Sequence, residues 1–385
     1  MKYVKLLFLL LPVTLNCTAC TSGKSEANTS HAKMPKKSFT LYDYYSNDSE
    51  LNRLTDSIFT SLTPAQRLSR MIITSAGELG KPQSTVASLV QKEAVGGVLF
   101  LKGKSQSHKT FIDSLEKLST LPLFYSIDAE PSLIPRRMPD VSQSFKPAAE
   151  IADSLEAYQS GNSIGVLVNN LGFNWNYAPV IDLSTGNEAI KTRSFGSDQN
   201  DVITKAKAFV EGTRAAGVID CIKHFPGHGL VSGDTHKKTV FIDGELKEVN
   251  TYKPLIEAGA ISVMVAHITV ENNAEYGTDG KPASCSRKIV TDLLRNELNF
   301  KGIIITDAMN MAAAVNEGES APLTAAKAGN DMILMPPNEE KLLNEMLAAY
   351  NADEALQAQW DASVKRILKL AVCTGMFDPQ SSKQK

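Results

Sequence analysis

Little in this 385-residue sequence points to a nucleic-acid partner or to a domain that spans a membrane. Lys and Arg total 40 against 42 Asp and Glu, a formal net charge of −2, and no basic stripe runs along the chain. Nucleic-acid binding is therefore not indicated. Downstream of the N-terminal region, no apolar run reaches the length of a transmembrane helix. A hydrophobic content of 43% is nevertheless enough for a large core, in one big domain or two ordinary ones.

Cysteine is also scarce, with five residues in the whole chain. Three of them lie in the body of the sequence, at Cys221, Cys285 and Cys373, and their spacing is irregular. An odd number without a regular pattern indicates neither a disulfide framework nor a thiolate metal site.

The N-terminus has the pattern of an export signal. Two lysines precede an apolar run at 6–13, and small residues with two cysteines follow it. Cys20 follows Ala19 and fits the lipobox of bacterial lipoproteins better than Cys17, although an ordinary cleaved signal is the alternative. We expect residues 1–20 to be a lipoprotein signal peptide. A lipid at Cys20 would then anchor the chain in the bacterial cell envelope, facing the periplasm or at the surface.

Residues 21–44 are predicted to form a flexible polar tether, because aliphatic side chains are almost absent up to residue 38. From residue 45 onward, short apolar runs alternate with amphipathic stretches. The runs lack period-2 alternation, which is typical of parallel strands buried on both faces. Eight runs are predicted as strands: 71–74, 96–101, 123–127, 173–180, 218–222, 261–265, 302–305 and 331–334.

Helices are predicted between most of these strands. Thr63, Pro64 and Gln66 form a helix start, and the longer helices are expected at 149–172, 200–217, 287–298 and 354–375. Eight strand–helix units in about 330 residues predict an α/β fold, specifically a (β/α)8 TIM-type barrel. A single catalytic domain would span 45–385, and a doubly wound open sheet is the alternative.

Charged residues or histidines follow several of the predicted strands. Asp128, the pair Lys223 and His224, His267 and Asp307 each come at or near a strand end. In a barrel the carboxyl ends of the strands meet on one face, where active sites are built. We therefore expect these side chains to converge, although each one alone could simply mark a strand boundary.

The segment 221–239 contains three of the six histidines, His224, His228 and His236. Its proline and glycines exclude a regular element after His224 and predict a mobile loop. Asp234, two residues before His236, could orient that imidazole and stabilise its cation, as in proton-transfer sites. The same four side chains could instead bind a metal ion.

Asp307 follows an apolar run and is predicted to be poorly solvated at the barrel mouth. Nearby cations such as Lys223 would hold it ionised. An ionised, positioned carboxylate can attack a sugar carbon while a second group protonates the leaving oxygen. A histidine paired with an aspartate could fill that second role. A helix N-cap is the alternative reading of Asp307.

Three motifs together resemble the signature of glycoside hydrolase family 3, in its β-N-acetylglucosaminidase branch. They are K-H-F-P-G-H-G at 223–229, D-T-H at 234–236 and T-D-A-M-N-M at 306–311, the last similar to a family pattern S/T-D-D-L-x-M. The resemblance implies that Asp307 is the nucleophile and that His236, oriented by Asp234, is the acid/base.

The same resemblance implies which residues bind the sugar. The family has an aspartate after the third strand with an arginine eight residues later, an arginine in R-S-F-G, and a lysine–histidine pair. The corresponding residues here are Asp128, Arg136, Arg193, Lys223 and His224. Their groups donate to or accept from sugar hydroxyls and acetamido oxygens.

The implied activity is that of a retaining exo-β-N-acetylglucosaminidase. Its carbohydrate partner would be a GlcNAc-terminated cell-wall fragment, derived from peptidoglycan, or another GlcNAc-capped glycan. No metal and no cofactor are expected, and we expect a monomer. Two alternatives remain open: a metal-dependent hydrolase that uses the histidine cluster on the same barrel, and a catalytically silent glycan-binding lipoprotein.

Two departures from the family pattern alter the surroundings of the predicted site. D-A-E-P-S at 128–132 replaces the frequent D-Q-E-G-G, and the loss of both glycines is expected to change the aglycone side. Ala308 replaces the second aspartate of the nucleophile motif, which changes the neighbours of Asp307 and leaves Asp307 itself in place.

Overall fold

The computed structural model describes residues 38–184, 187–231, 233, 240–314 and 320–377. The predicted signal peptide, its Cys20 and most of the predicted tether lie outside them. The strands of the described part are β1 (Ile72–Ala76), β2 (Gly97–Phe100), β3 (Phe124–Ile127), β4 (Trp175–Asn176), β5 (Ile222–Phe225), β6 (Phe241–Asp243), β7 (Ser262–Val265), β8 (Thr269–Glu271), β9 (Ile303–Thr306) and β10 (Ile333–Leu334).

Helices separate most of these strands. The α-helices are α1 (Ser49–Ser61), α2 (Pro64–Ser69), α3 (Gln83–Gln91), α4 (Ser105–Leu118), α5 (Ile134–Arg137), α6 (Ser154–Asn170), α7 (Gln199–Ala215), α8 (Val249–Glu257), α9 (Ala321–Ala328), α10 (Glu339–Ala352) and α11 (Glu354–Cys373). A π-helix spans Lys288–Glu297. Short 3-10 turns lie at Leu41–Asp43, Ala148–Glu150, Lys191–Arg193, Ala283–Cys285 and Ala312–Ala314.

All strand pairs in the described part are parallel. One sheet has the order β10-β1-β2-β3-β4, a second has the order β5-β7-β9, and β6 pairs with β8. Isolated parallel bridges join the two larger sheets at both edges, from Trp175 to Ile219 and from Ile305 to Met332. The predicted α/β class is confirmed, with parallel strands and intervening helices. Closure of the eight strands into a (β/α)8 barrel stays a prediction.

Every predicted strand overlaps an observed one, and the reason lies in burial. All residues of β1, β2, β3, β7 and β9 are buried, so both faces of these strands carry apolar side chains. The pair β6 and β8 was not predicted, because three-residue strands with exposed ends leave almost no apolar run.

The fifth strand corrects the sequence prediction. It was expected at 218–222, with Lys223 and His224 after its end, but β5 includes both residues. A charged residue after an apolar run commonly marks the end of a buried strand. Lys223 instead pairs in register with Met264 of β7, and its ammonium group is buried against carboxylates.

The helix boundaries follow the predicted signals closely. Thr63 caps α2 in a capping box, with its N–H donating to Gln66 Oε1 at 2.9 Å and its Oγ1 accepting from the Gln66 N–H at 3.3 Å. Helices α6 and α7 approach each other closely. A Cβ on Gly212 of α7 would lie 2.2 Å from the Tyr158 carbonyl oxygen of α6, so only glycine permits this distance.

The packed body begins before residue 45, the boundary that the sequence predicted. Phe39, Leu41 and Tyr44 are buried in the core, so the end of the predicted tether is part of the fold. The aromatic content of this stretch was the available signal. Within the described residues, no helix is both long and apolar enough to cross a bilayer.

Candidate active site

Lys223 and Asp128 meet near the carboxyl ends of the parallel strands. Asp128 directly follows β3, and Lys223 lies in β5. The Lys223 Nζ is 2.9 Å from Asp128 Oδ1 and 2.7 Å from Glu130 Oε1. The side chains of Lys223 and Glu130 are only 2% and 1% exposed. A cation at this depth needs such partners, since an unpaired buried charge is costly.

Two arginines complete this ionic cluster. Arg137 Nη2 is 2.7 Å from Asp128 Oδ2. Arg193 donates to both oxygens of Glu130, from Nε at 2.8 Å and from Nη2 at 2.7 Å. A bidentate pair of this kind fixes the orientation of the planar guanidinium group. Together with Lys223, three cations thus face two carboxylates.

The ionic cluster holds its members in their charged forms. Burial raises the pKa of Asp128, but the charges of Lys223 and Arg137 outweigh it and hold that pKa well below its usual range. Burial likewise raises the pKa of Glu130, whereas Arg193 and then Lys223 lower it to about 2. For Lys223, burial lowers the pKa and the two carboxylates reverse the effect and raise it. The cluster therefore presents ionised hydrogen-bonding groups at neutral pH.

A β-bulge places His224 beside a buried carboxylate. The register between β5 and β7 shifts between Lys223 and Phe225, which leaves His224 as the additional residue. His224 Nδ1 lies 2.7 Å from Asp182 Oδ2, and burial raises the pKa of Asp182 less than the His224 charge and hydrogen bond lower it. An ionised Asp182 accepts a hydrogen bond from Nδ1–H and so orients the imidazole ring.

Residues 227–231 follow β5 and lead toward the segment with Asp234 and His236; we name them the stalk. Side chains from outside the stalk hold its backbone, chiefly Glu248, at the start of α8, and Asn187. Burial, with the Asp182 carboxylate adding to it, raises the pKa of Glu248 to about 8 against the opposing effect of backbone N–H groups.

Asp307 lies within electrostatic range of the stalk. It directly follows β9, its N–H donates to the Val265 carbonyl of β7 at 2.9 Å, and its side chain is partly buried. Burial lowers the pKa of His228, while the carboxylates of Asp182 and, more weakly, Asp307 oppose that shift. The ends of β5 and β9 both adjoin the end of β7, where the Ala266 N–H also donates to the Phe225 carbonyl at 2.8 Å.

His267 was expected to converge with the other strand-end residues, but its contacts are those of a supporting residue. It is fully buried, with Nδ1 2.8 Å from Ser284 Oγ and Nε2 3.0 Å from the Ala308 carbonyl oxygen. Because a carbonyl can only accept, Nε2 carries the proton. His267 thus holds the residue that follows Asp307.

Four of the five predicted sugar-binding residues take part in ion pairs or hydrogen bonds of the site, and the fifth does not. Asp128, Arg193, Lys223 and His224 form the contacts given above. Arg136, by contrast, is exposed, and the arginine that meets Asp128 is its neighbour Arg137. The difference of one position follows from the short helix α5, which turns Arg137 inward.

Asp234 and His236 lie outside the described residues, so their acid/base role stays a prediction. Among the residues that are described, no group of three or more His, Cys, Asp or Glu side chains could hold a metal ion. That statement does not extend to residues 234–239, which include Asp234 and His236.

Three carboxylates of the site were missed from the sequence: Glu130, Asp182 and Glu248. Asp182 follows an apolar run, A-P-V-I, and so carried the same signal as Asp128 and Asp307. Glu130 lies two residues after Asp128, where it could have been read with its neighbour. Glu248 lies in a charged stretch, E-L-K-E, and has no local signal, because only the chain reversal after β6 brings it to the stalk.

The chain matches the model of the Glycosyl hydrolase family 3 N terminal domain over residues 63–370. Beta-hexosaminidase A of Pseudoalteromonas piscicida is 29% identical over 325 residues, covering 74% of this chain and 54% of that protein. The chain thus spans about half the length of this relative. Beta-hexosaminidase of Xylella fastidiosa strain 9a5c is 31% identical over 280 residues, covering 68% of this chain and 81% of that protein.

Two solved structures also superpose on this chain. A beta-glucoside phosphorylase, BglX bound to 2FGlc, superposes with a TM-score of 0.76 at 26% identity, covering 86% of this chain and 62% of that one. A family 3 beta-N-acetylglucosaminidase from Paenibacillus sp. strain FPU-7 superposes with a TM-score of 0.73 at 26% identity, covering 82% and 63% of the two chains. The resemblance carried by the motifs is confirmed, and this chain belongs to glycoside hydrolase family 3.

Proposed function

We propose that this chain is a retaining exo-β-N-acetylglucosaminidase that releases terminal GlcNAc from peptidoglycan-derived or other GlcNAc-capped glycans. The observation that carries the proposal is the ionic cluster of Asp128, Lys223 and Arg193 near the same strand ends as Asp307. Fixed, ionised donors and acceptors can bind several hydroxyls of one sugar ring, and a neighbouring carboxylate can then reach its anomeric carbon. The names of the β-hexosaminidase relatives support the choice of sugar.

Each group of the ionic cluster has a role in the proposed complex. Asp128 accepts hydrogen bonds from a pair of hydroxyls, and Lys223 and Arg193 donate to sugar oxygens. In the structure these groups satisfy one another, so the sugar adds to an ordered network and does not have to organise it. We assign the arginine of this group to Arg137, since Arg136 is exposed.

The proposed reaction proceeds through two displacements. The Asp307 carboxylate forms a bond to the anomeric carbon as the bond to the glycosidic oxygen breaks, and His236, oriented by Asp234, gives that oxygen its proton. Water then attacks the glycosyl ester, His236 accepts a proton from it, and Asp307 leaves as a carboxylate. Neither step requires a metal or another cofactor.

We further propose that the eight strands close into a (β/α)8 barrel and that a lipid at Cys20 anchors it in the cell envelope. Bridges between the two larger sheets at both of their edges support closure. The pattern of the N-terminal twenty residues supports the anchor. Peptidoglycan fragments would be within reach of an enzyme so placed.

The central experiment is trapping of the glycosyl-enzyme. The chain is incubated with a 2-deoxy-2-fluoroglucoside, in which fluorine replaces the acetamido group, or with a slowly cleaved N-acetylglucosaminyl substrate. Peptide mass spectrometry then locates the adduct, which we expect on Asp307. Asp307→Ala should retain the fold and lose turnover of a chromogenic GlcNAc glycoside, whereas Asp279→Ala, at an exposed carboxylate, should retain both. Unchanged rates in Asp307→Ala would reject the nucleophile.

The same assay separates the alternatives. Loss of turnover on chelation, with recovery on adding metal, would favour a metal-dependent hydrolase, and absence of all turnover would favour a glycan-binding protein. Because one similar structure is a beta-glucoside phosphorylase, the products are also analysed with and without phosphate. GlcNAc in both conditions supports hydrolysis, whereas a sugar phosphate would show that phosphate resolves the intermediate.

A further inference from the structure

We propose that Glu248 is a positioning residue for the acid/base step, because it anchors the stalk from which the D-T-H segment begins. The inference rests on the proposed function, in which His236 is the acid/base. Glu248 itself touches neither a reacting atom nor the sugar in this scheme. It acts through the backbone of residues 227–231.

The contacts of Glu248 are unusually complete for one side chain. Its Oε1 accepts from the N–H of Leu183 at 2.7 Å and of Gly229 at 3.2 Å. Its Oε2 accepts from the N–H of Gly229 at 3.0 Å and of Leu230 at 3.1 Å. The residue is only 4% exposed. Glu248 thus fastens the stalk to the segment that follows β4, and both of its oxygens accept backbone N–H groups.

The stalk is shaped to receive this carboxyl group. Gly227 has a φ of +127°, and a Cβ there would lie 2.3 Å from the Cβ of Glu248. Glycine is therefore required both by the backbone conformation and by the close approach of Glu248.

Asn187 holds the stalk independently. Its Nδ2 donates to the His228 carbonyl at 2.9 Å and also to the Val231 carbonyl. Its Oδ1 accepts from the N–H groups of Ala189 and Ile190, so its amide is fixed in orientation. Glu248 binds the N–H groups and Asn187 binds the carbonyls, which leaves the stalk little freedom to shift.

The short chain distance explains why the stalk matters for catalysis. His236 comes five positions after Val231, and five extended residues span at most about 18 Å. A displacement of the stalk therefore moves the point from which the segment carrying this imidazole starts. Misplacement of a catalytic group by about 1 Å can cost roughly a hundredfold in rate.

The test compares leaving groups, because only poor ones need protonation. Glu248→Gln keeps the shape of the side chain but replaces one acceptor by an amide donor that faces N–H groups. We expect kcat/KM for a GlcNAc glycoside with a sugar or alkyl leaving group to fall at least about tenfold. For a dinitrophenyl glycoside, which departs without an acid, kcat/KM should stay within about twofold of the native chain. Asn187→Ala should show the same selectivity.

The control is Asp220→Asn. Asp220 is also a buried carboxylate that accepts a backbone N–H, from Ile261 at 3.0 Å, but it precedes β5 and lies at the opposite ends of the strands. Its substitution should lower the melting temperature without separating the two substrates.

Each outcome either supports or overturns the positioning role of Glu248. Equal losses for both leaving groups in Glu248→Gln and Asn187→Ala, or no loss for either, overturn the positioning role while leaving the proposed function intact. A native chain that cleaves neither glycoside overturns the proposed function, and this inference with it. Circular dichroism of every variant identifies losses that come from unfolding.

Discussion

Lys223 Nζ lies 2.9 Å from Asp128 Oδ1, which joins a residue inside β5 to the residue that ends β3. The two residues are far apart in the sequence and are brought together by the parallel arrangement of the strands. The Lys223 side chain is 2% exposed and that of Asp128 is 16% exposed, so removal of either partner would leave the other charge largely buried and uncompensated.

Lys223→Met should therefore affect stability and activity together. Loss of one partner from a buried ionic cluster costs about 3–5 kcal/mol in unfolding free energy, because the remaining carboxylates lose compensation. Urea unfolding measures that cost, and turnover of a chromogenic GlcNAc glycoside should be lost. Lys109→Met is the matched control, since its pair with Asp113 is exposed and is worth less than about 0.5 kcal/mol. Equal destabilisation of the two variants would contradict the prediction.

Arg137→Ala should impair the enzyme more than Arg136→Ala. Arg137 contacts Asp128 at 2.7 Å, whereas Arg136 is exposed. A lost hydrogen bond to a charged group is worth about 1.5–3 kcal/mol, so kcat/KM for the Arg137 variant should fall roughly tenfold or more. The neighbouring Arg136 variant serves as the control. The reverse ranking would restore the assignment that the family motif implied.

Glu248 should make the folded state less stable as the pH rises toward 8. Its pKa in the fold is about 8, above the ordinary value for a glutamate, so the folded chain binds this proton more tightly than the unfolded chain does. The resulting stabilisation is complete below about pH 4 and is lost as the pH rises through about 8. We expect the melting temperature of the native chain to fall between about pH 5 and 8 and that of Glu248→Gln to fall less. Parallel curves from thermal melts at constant ionic strength would refute this.

Cys20→Ser should release the chain from the membrane fraction. A thioether-linked lipid at this residue is the proposed anchor, and a hydroxyl cannot replace the thiol in its attachment. Detergent phase separation and labelling with a radioactive fatty acid measure the change. Cys17→Ser, three positions earlier, should stay anchored and labelled. Release by the Cys17 substitution alone would move the anchor.

Much of the fold could be predicted from the sequence because its signals are local. Strands such as β9 are buried on both faces and appear as unbroken apolar runs, and the capping box at Thr63 needs only residues three positions apart. The family motifs are equally local, and they carried the prediction of family 3 membership. Local signals cannot predict burial that depends on distant partners. The charge of Lys223 predicts a strand boundary, but its carboxylate partners allow it to be buried inside β5.

The sequence by itself determined the α/β class, the family and the identity of most polar residues near the strand ends. Only the tertiary structure decided how those residues are paired: that Arg137 and not Arg136 meets Asp128, that His267 supports its neighbours, and that Glu248 holds the stalk. The physical reason is that hydrogen bonds and ion pairs depend on distances of about 3 Å between side chains. Such distances arise only when separate strands and loops are packed against one another.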